Sequence, residues 1–207
     1  MKEFEPQRFQ PQRCLEELQE FDDLLKSSPK LAEKKHILPF FRQRRQLSAF
    51  IGSYNSKVCR FDLIAFEYDL FGDFVCDLVV GDSANYAFNF VEFEDASPTS
   101  VFVKRGRTTP DWSSRFQRGH TQLVDWFYKL DSHRDSIECL KRFGRRTIDY
   151  TGVLVIGRDQ HLDEASRERL NWRRNKALID SRTTYCLTFD ELLQDLRARL
   201  ELYAGAA

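Results

Sequence analysis

The stretch DLVVGDSANYAFNFVEFEDA, residues 77–96, reads as two apolar strands joined by a GDSAN turn, yet it carries Asp77, Glu92 and Glu94 among leucine, valine and phenylalanine. Alternate residues of a strand share a face. Phe88, Phe90, Glu92 and Glu94 therefore fall on one side, and Asn89, Val91 and Phe93 on the other. In DFVCDLVV, residues 73–80, Asp77 shares a face with Val75 and Val79. Glu67 sits between Phe66 and Tyr68 near the end of the preceding run, CRFDLIAFEYDLF, residues 59–71. Burying an unpaired carboxylate is costly, so such groups reach solvent, find a basic partner or bind metal. Acids on a sheet also serve to keep edges from aggregating. That reading suits Glu94 or Asp95 taken alone better than it suits Asp77.

Outward from this stretch, three successive strands this close in sequence predict antiparallel hairpins. On the N-terminal side, Leu15, Leu18, Phe21, Leu24 and Leu25 recur at helical spacing over 11–27, and a second helical region covers about 30–52. On the C-terminal side, a helix is expected over 113–131. TGVLVIG, 151–157, has the continuous apolar character of a strand buried on both faces. A basic helix over 162–176, a short strand at TTYCLT and a C-terminal helix opened by a Thr188–Glu191 capping box complete the chain. The order predicts a mixed α/β domain over 29–207, preceded by a helical arm over 1–28.

At 207 residues and 42% hydrophobic composition, the chain is expected to bury a proper core. No apolar run approaches the roughly 18 residues of a membrane helix, and the N-terminus has no secretory h-region. The five cysteines are scattered, with no CxxC pair. That argues against a zinc knuckle or a disulfide framework and for a reducing, cytoplasmic setting. Net charge is zero, but residues 104–118, 141–146 and 167–176 each carry a net +4. Clustered cations on a neutral chain are compatible with a nucleic-acid face.

Two or three carboxylates at the mouth of a cleft suit Mg²⁺, which takes one or two of them along with water and phosphate oxygens. Phosphodiester hydrolysis uses such a site. Glycoside hydrolysis, the other common use of paired acids, suits the length and aromatic pattern less well. No GxSxG elbow or cysteine–histidine pair points to a nucleophile.

The order glutamate, aspartate, fourteen residues, E-x-acid, then a helix bearing glutamine looks like the PD-(D/E)XK nuclease pattern. AFEYDLFGDFVCDLVVGD, FVEFEDASPTSVFVKRG, WSSRFQRGHTQLVDWFYKLD and GVLVIGRD together resemble the Shedu family of bacterial anti-phage defence proteins over roughly residues 30–200. The resemblance implies a restriction-endonuclease-like mixed sheet of about four to five strands with flanking helices. It also implies a Mg²⁺- or Mn²⁺-dependent nuclease acting on nucleic acid, DNA in the first instance, as a homo-oligomer with no small-molecule cofactor. Asp77 and Glu92 become metal ligands, Glu67 a supporting acid at the rim, and Gln122 the helix residue pointing into the site. Lys104, Arg105, Arg107, Arg115, His120, Arg173 and Arg174 become contacts to the nucleic acid, with Trp112 and Trp172 available to stack. Glu94 departs from the family pattern, standing where the motif has lysine. The charge it lacks could come from a second metal or from Lys104. Otherwise the chain is a degenerate nucleic-acid-binding or protein-interaction domain of the same fold.

Overall fold

Residues 63–93 form the three strands that the alternation predicts: β2 (Leu63–Leu70), β3 (Phe74–Asp82) and β4 (Ala87–Phe93), paired as antiparallel neighbours. The computed structural model describes residues 3–106, 108–179 and 184–205. The β3–β4 turn is fixed by fully buried Asp82, whose carboxylate accepts from the backbone N–H groups of Cys59, Arg60, Ala84 and Asn85 at 2.9–3.0 Å.

β7 (Asp149–Val155) lies parallel to β4, and β8 (Tyr185–Leu187) lies parallel to β7. Strand β1 (Glu5–Pro6) pairs with the start of β2, so the sheet order is β1-β2-β3-β4-β7-β8. The sixth strand, beyond the four or five expected, is a two-residue element too short to leave any periodicity. A separate ribbon joins β5 (Phe102–Val103) to β6 (Asp111–Trp112). The arrangement is consistent with a restriction-endonuclease-like mixed sheet with flanking helices.

Helices cover both faces. On one side lie α1 (Pro11–Ser27), α2 (Leu38–Gln43), α3 (Arg45–Phe50) and α7 (Phe189–Gly205), which share a core with Leu78, Val80, Val91 and Phe93. On the other lie α4 (Ser114–Ser132), α5 (Ile137–Phe143) and α6 (Glu164–Lys176), packed over Val79, Phe88, Phe90 and Leu154. The N-terminal helix is integral to the first layer: Cys14, Leu18, Phe21 and Leu25 are buried against the same core as Leu192, Leu196 and Leu200 of α7. Full burial of each such leucine or phenylalanine stabilises by about 1.5–3 kcal/mol. The capping box is present, with Thr188 Oγ1 accepting from Glu191 N and Glu191 Oε2 accepting from Thr188 N.

Arg158 locks the first layer together. Its guanidinium forms a bidentate pair with Asp190 at 2.9–3.1 Å and donates to the Leu25 carbonyl at 2.9 Å, with only 7% of its side chain exposed. Arg158→Ala leaves Asp190 with only the Asp159 N–H as partner and is expected to lower unfolding free energy by about 3 kcal/mol. Urea unfolding followed by circular dichroism checks this.

Cys59 precedes β2 and is exposed, whereas Cys14, Cys76, Cys139 and Cys186 are buried. The five cysteines are all free. Helix α5 was not foreseen; it buries only Cys139 and Phe143, too few to show a period.

Candidate active site

The strand alternation reverses at the position where the acids meet. Ile64 and Phe66 pack in the first core, whereas Tyr68 and Leu70 pack in the second. On β3, Leu78 and Val80 belong to the first core and Cys76 to the second. Glu67 sits at the crossover with φ of +50° and drops out of the pairing between Phe66↔Leu78 and Tyr68↔Cys76. A non-glycine residue in this region is held there at a cost of about 1–3 kcal/mol, and such outliers concentrate at functional sites. The reversal lets Glu67, Val75 and Asp77 face one cleft together.

That cleft, of about 560 Å³, gathers Glu67, Asp77, Glu92, Glu94 and Gln122. Asp77 Oδ2 accepts from the Phe93 backbone N–H at 2.8 Å, which ties β3 to the C-terminal end of β4. Glu92 is 7% exposed, and its Oε2 is buried with no hydrogen-bond partner. Burial pushes the Asp77 carboxyl up to about 7, partly offset by the Phe93 N–H, with Glu33 and Glu94 adding repulsion. Burial and the neighbouring Asp77 charge push Glu92 up to about 10, with the Gln122 side chain hydrogen-bonding to it and opposing the shift. A buried and a half-buried carboxylate sharing one cleft disfavour double ionisation. Burial and mutual repulsion therefore both favour protonation of the pair.

Among the described residues, no group of three or more His, Cys, Asp or Glu side chains could hold a metal ion. The Asp77–Glu92 pair, with one buried oxygen lacking any donor, nonetheless fits a hard divalent cation whose shell is completed by water and phosphate oxygens.

Glu94 is 1% exposed and fully engaged. Arg115 Nη1 donates to its Oε2 at 2.8 Å, and Arg118 Nη2 donates to its Oε1 at 3.3 Å. Arg115 also reaches Asp95 at 3.1 Å and Glu33 at 3.5 Å. Both arginines come from the first turns of α4, which lies close to the sheet because residue 119 is glycine. A Cβ there would sit 2.7 Å from Leu154 Cδ1 and 3.4 Å from Glu94 Cγ.

The other expected residues are spread more widely. Glu67, 42% exposed at the rim, pairs with Arg42. Lys104 is placed apart from Glu94, lining a second cavity with Asp163 and Ser166. Arg105 is exposed, and Arg107 lies outside the described residues. His120 lies beside Phe116, and burial and the Arg173 charge lower its pKa. Arg173 stacks over Trp112 and Phe116 at 4.9 Å. Arg174 is taken up by Glu191 at 2.7–3.0 Å and by the Cys186 carbonyl at 3.2 Å. Trp172 is exposed, whereas Trp126 is fully buried.

Glu33 and Arg118 were missed. Glu33 arrives from a π-helical turn, Glu33–Ile37, that a Leu31↔Ala96 bridge pins to the end of β4. Nothing local in the sequence announces that bridge. Arg118 had a signal: Arg115, Arg118 and Gln122 follow at three- and four-residue spacing, one stripe of α4.

None of the described helices is long and apolar enough to cross a membrane. No curated protein matches the chain. The family described as Shedu protein SduA, C-terminal, matches residues 30–193. With most of its length matched, the chain belongs to the Shedu SduA C-terminal family, and this membership supports a role in anti-phage defence.

Proposed function

We propose that the chain is a metal-dependent nuclease that hydrolyses phosphodiester bonds, DNA being the expected substrate, in anti-phage defence. The observation that carries this reading is the Asp77–Glu92 pair at the C-terminal end of β4, with Glu92 Oε2 buried and unsatisfied. Asp77 and Glu92 would hold Mg²⁺ or Mn²⁺. Such an ion polarises a phosphoryl oxygen and lowers the pKa of bound water. The chain's own part is positional. The Phe93 N–H fixes the Asp77 carboxylate, Gln122 orients Glu92, and Glu67 charges the rim.

A plasmid nicking assay with Mg²⁺, with Mn²⁺ and with chelator tests the reading. Conversion of supercoiled to nicked or linear DNA only when a divalent ion is present is the expected result. Supercoiled plasmid left intact under every metal condition rejects it.

One observation favours a second reading, nucleic-acid binding without cleavage. The position of the motif lysine holds Glu94, which is closed off by two arginines. Salt-dependent DNA binding with no metal-dependent product is the outcome that selects it.

A further inference from the structure

Six carboxylates and three basic side chains line the cleft, so a phosphodiester entering it meets repulsion except where a cation stands exposed. Arg115 is divided among Glu94, Asp95 and Glu33. Lys34 is exposed but offers a compact point charge on a flexible stem. Arg118 differs from both: one nitrogen is anchored on Glu94 at 3.3 Å, while 62% of the side chain is exposed along the cleft wall. A guanidinium carries five N–H donors in a rigid fork suited to phosphate, so this single anchor leaves most of them available.

Glu94 needs an explanation of its own. An acid 1% exposed costs free energy unless it is paired, and here its pairing holds Arg115 and tethers one nitrogen of Arg118 at the end of β4. Fixing a flexible cation before the substrate arrives removes part of the ordering cost of binding. The unpartnered Glu92 Oε2 is an independent mark of a ligand site in the same cleft.

We propose that Arg118 receives a non-bridging oxygen of the substrate phosphate in this cleft, with buried Glu94 as its positioning residue and Arg115 as a fixed brace. This rests on the reading of the cleft as a phosphodiester site. It assigns to Arg118 the positive charge that Glu94 cannot supply.

The test uses the full chain as wild type, Arg118→Ala, Arg118→Lys and Glu94→Gln, each checked by thermal melting. Two measurements are made: metal-dependent plasmid nicking, and binding of a fluorescent DNA duplex in EDTA across a salt series. Arg118→Ala is expected to lower nicking about 10²-fold and to reduce the slope of log affinity against log salt by about 0.9, the loss of one phosphate contact. Its melt stays close to wild type because the side chain is exposed. Arg118→Lys keeps the salt slope and recovers part of the nicking, since an ammonium supplies charge without the fork. Glu94→Gln keeps the slope while lowering kcat more than affinity, which marks a positioning role. An Arg118→Ala variant with an unchanged salt slope overturns the inference, whatever its nicking rate. A wild type that binds DNA with an Arg118-dependent slope but never cuts overturns the nuclease reading and leaves this one standing. A wild type that neither binds nor cuts overturns both.

Discussion

Asp77→Asn and Glu92→Gln each lower metal-dependent nicking by roughly 10³-fold or more, because each removes one of the two charges available to hold a divalent ion. The substitutions are close to isosteric, so the geometry survives them. The amide introduced by Asp77→Asn still offers an oxygen to the Phe93 N–H, and the one introduced by Glu92→Gln keeps the length of the side chain. Folding is therefore not the cause of the loss, and calorimetry of Mn²⁺ binding separates the two explanations. Weakened metal affinity with an intact melt is the expected combination. Cleavage at the wild-type rate in either variant removes the pair from the active site. Glu67→Gln affects a group at the rim that is already paired with Arg42, so its effect is smaller than that of Asp77→Asn or Glu92→Gln.

The core of this site was legible because strand pleating is local. Once residues 87–93 form a strand, Glu92 must share a face with Phe88 and Phe90, and both phenylalanines do pack in the layer beneath α4. Gln122 came from the family resemblance, and only the helix that carries it, expected over 113–131 and observed as Ser114–Ser132, was read from the residues. The reversal at Glu67 was not legible. It depends on a single positive φ in a strand whose side chains give no glycine or asparagine to mark it. Glu33 was hidden for a different reason, since a tertiary bridge 65 positions long in sequence, Leu31↔Ala96, brings it to the cleft. The cationic segments show the limit of counting charges. Arg142, from the run at 141–146, has 9% of its side chain exposed and is paired with Asp69 and Glu138. Arg174, from the run at 167–176, is held by Glu191. A net +4 in sequence is thus partly neutralised inside the fold, and what remains on the surface depends on tertiary pairing.

The metal-free protein loses stability as pH rises from about 4 toward neutrality, and a divalent ion restores it most at the alkaline end. Unfolded Asp and Glu titrate near 3.9 and 4.3, whereas burial and mutual repulsion raise Asp77 to about 7 and Glu92 to about 10 in the folded chain. Between those limits the folded state binds more protons than the unfolded state, so unfolding free energy falls with pH. Asp77 contributes up to about pH 7, and Glu92 continues alone beyond it. Glu33, raised by burial and by Glu94, acts with the same sign. Asp82, held low by four backbone N–H groups, acts with the opposite sign in the acid range below its ordinary value, and His120, lowered by burial and the Arg173 charge, offsets part of the fall below about pH 6.5. Each extra proton held by the folded chain lowers unfolding free energy by about 1.4 kcal/mol per pH unit, so the midpoint falls between pH 5 and 7. Mg²⁺ or Mn²⁺ competes with those protons, so its stabilisation grows with pH, as expected when ligands must be deprotonated to bind. Differential scanning fluorimetry at pH 5.5 and pH 8, with and without metal, reads both effects. Glu92→Gln is expected to raise the metal-free midpoint at pH 8, to flatten its pH dependence and to abolish most of the metal-induced shift. A wild-type midpoint that rises from pH 5 to 7 without metal, or a metal shift as large at pH 5.5 as at pH 8, contradicts the charge state assigned to the pair.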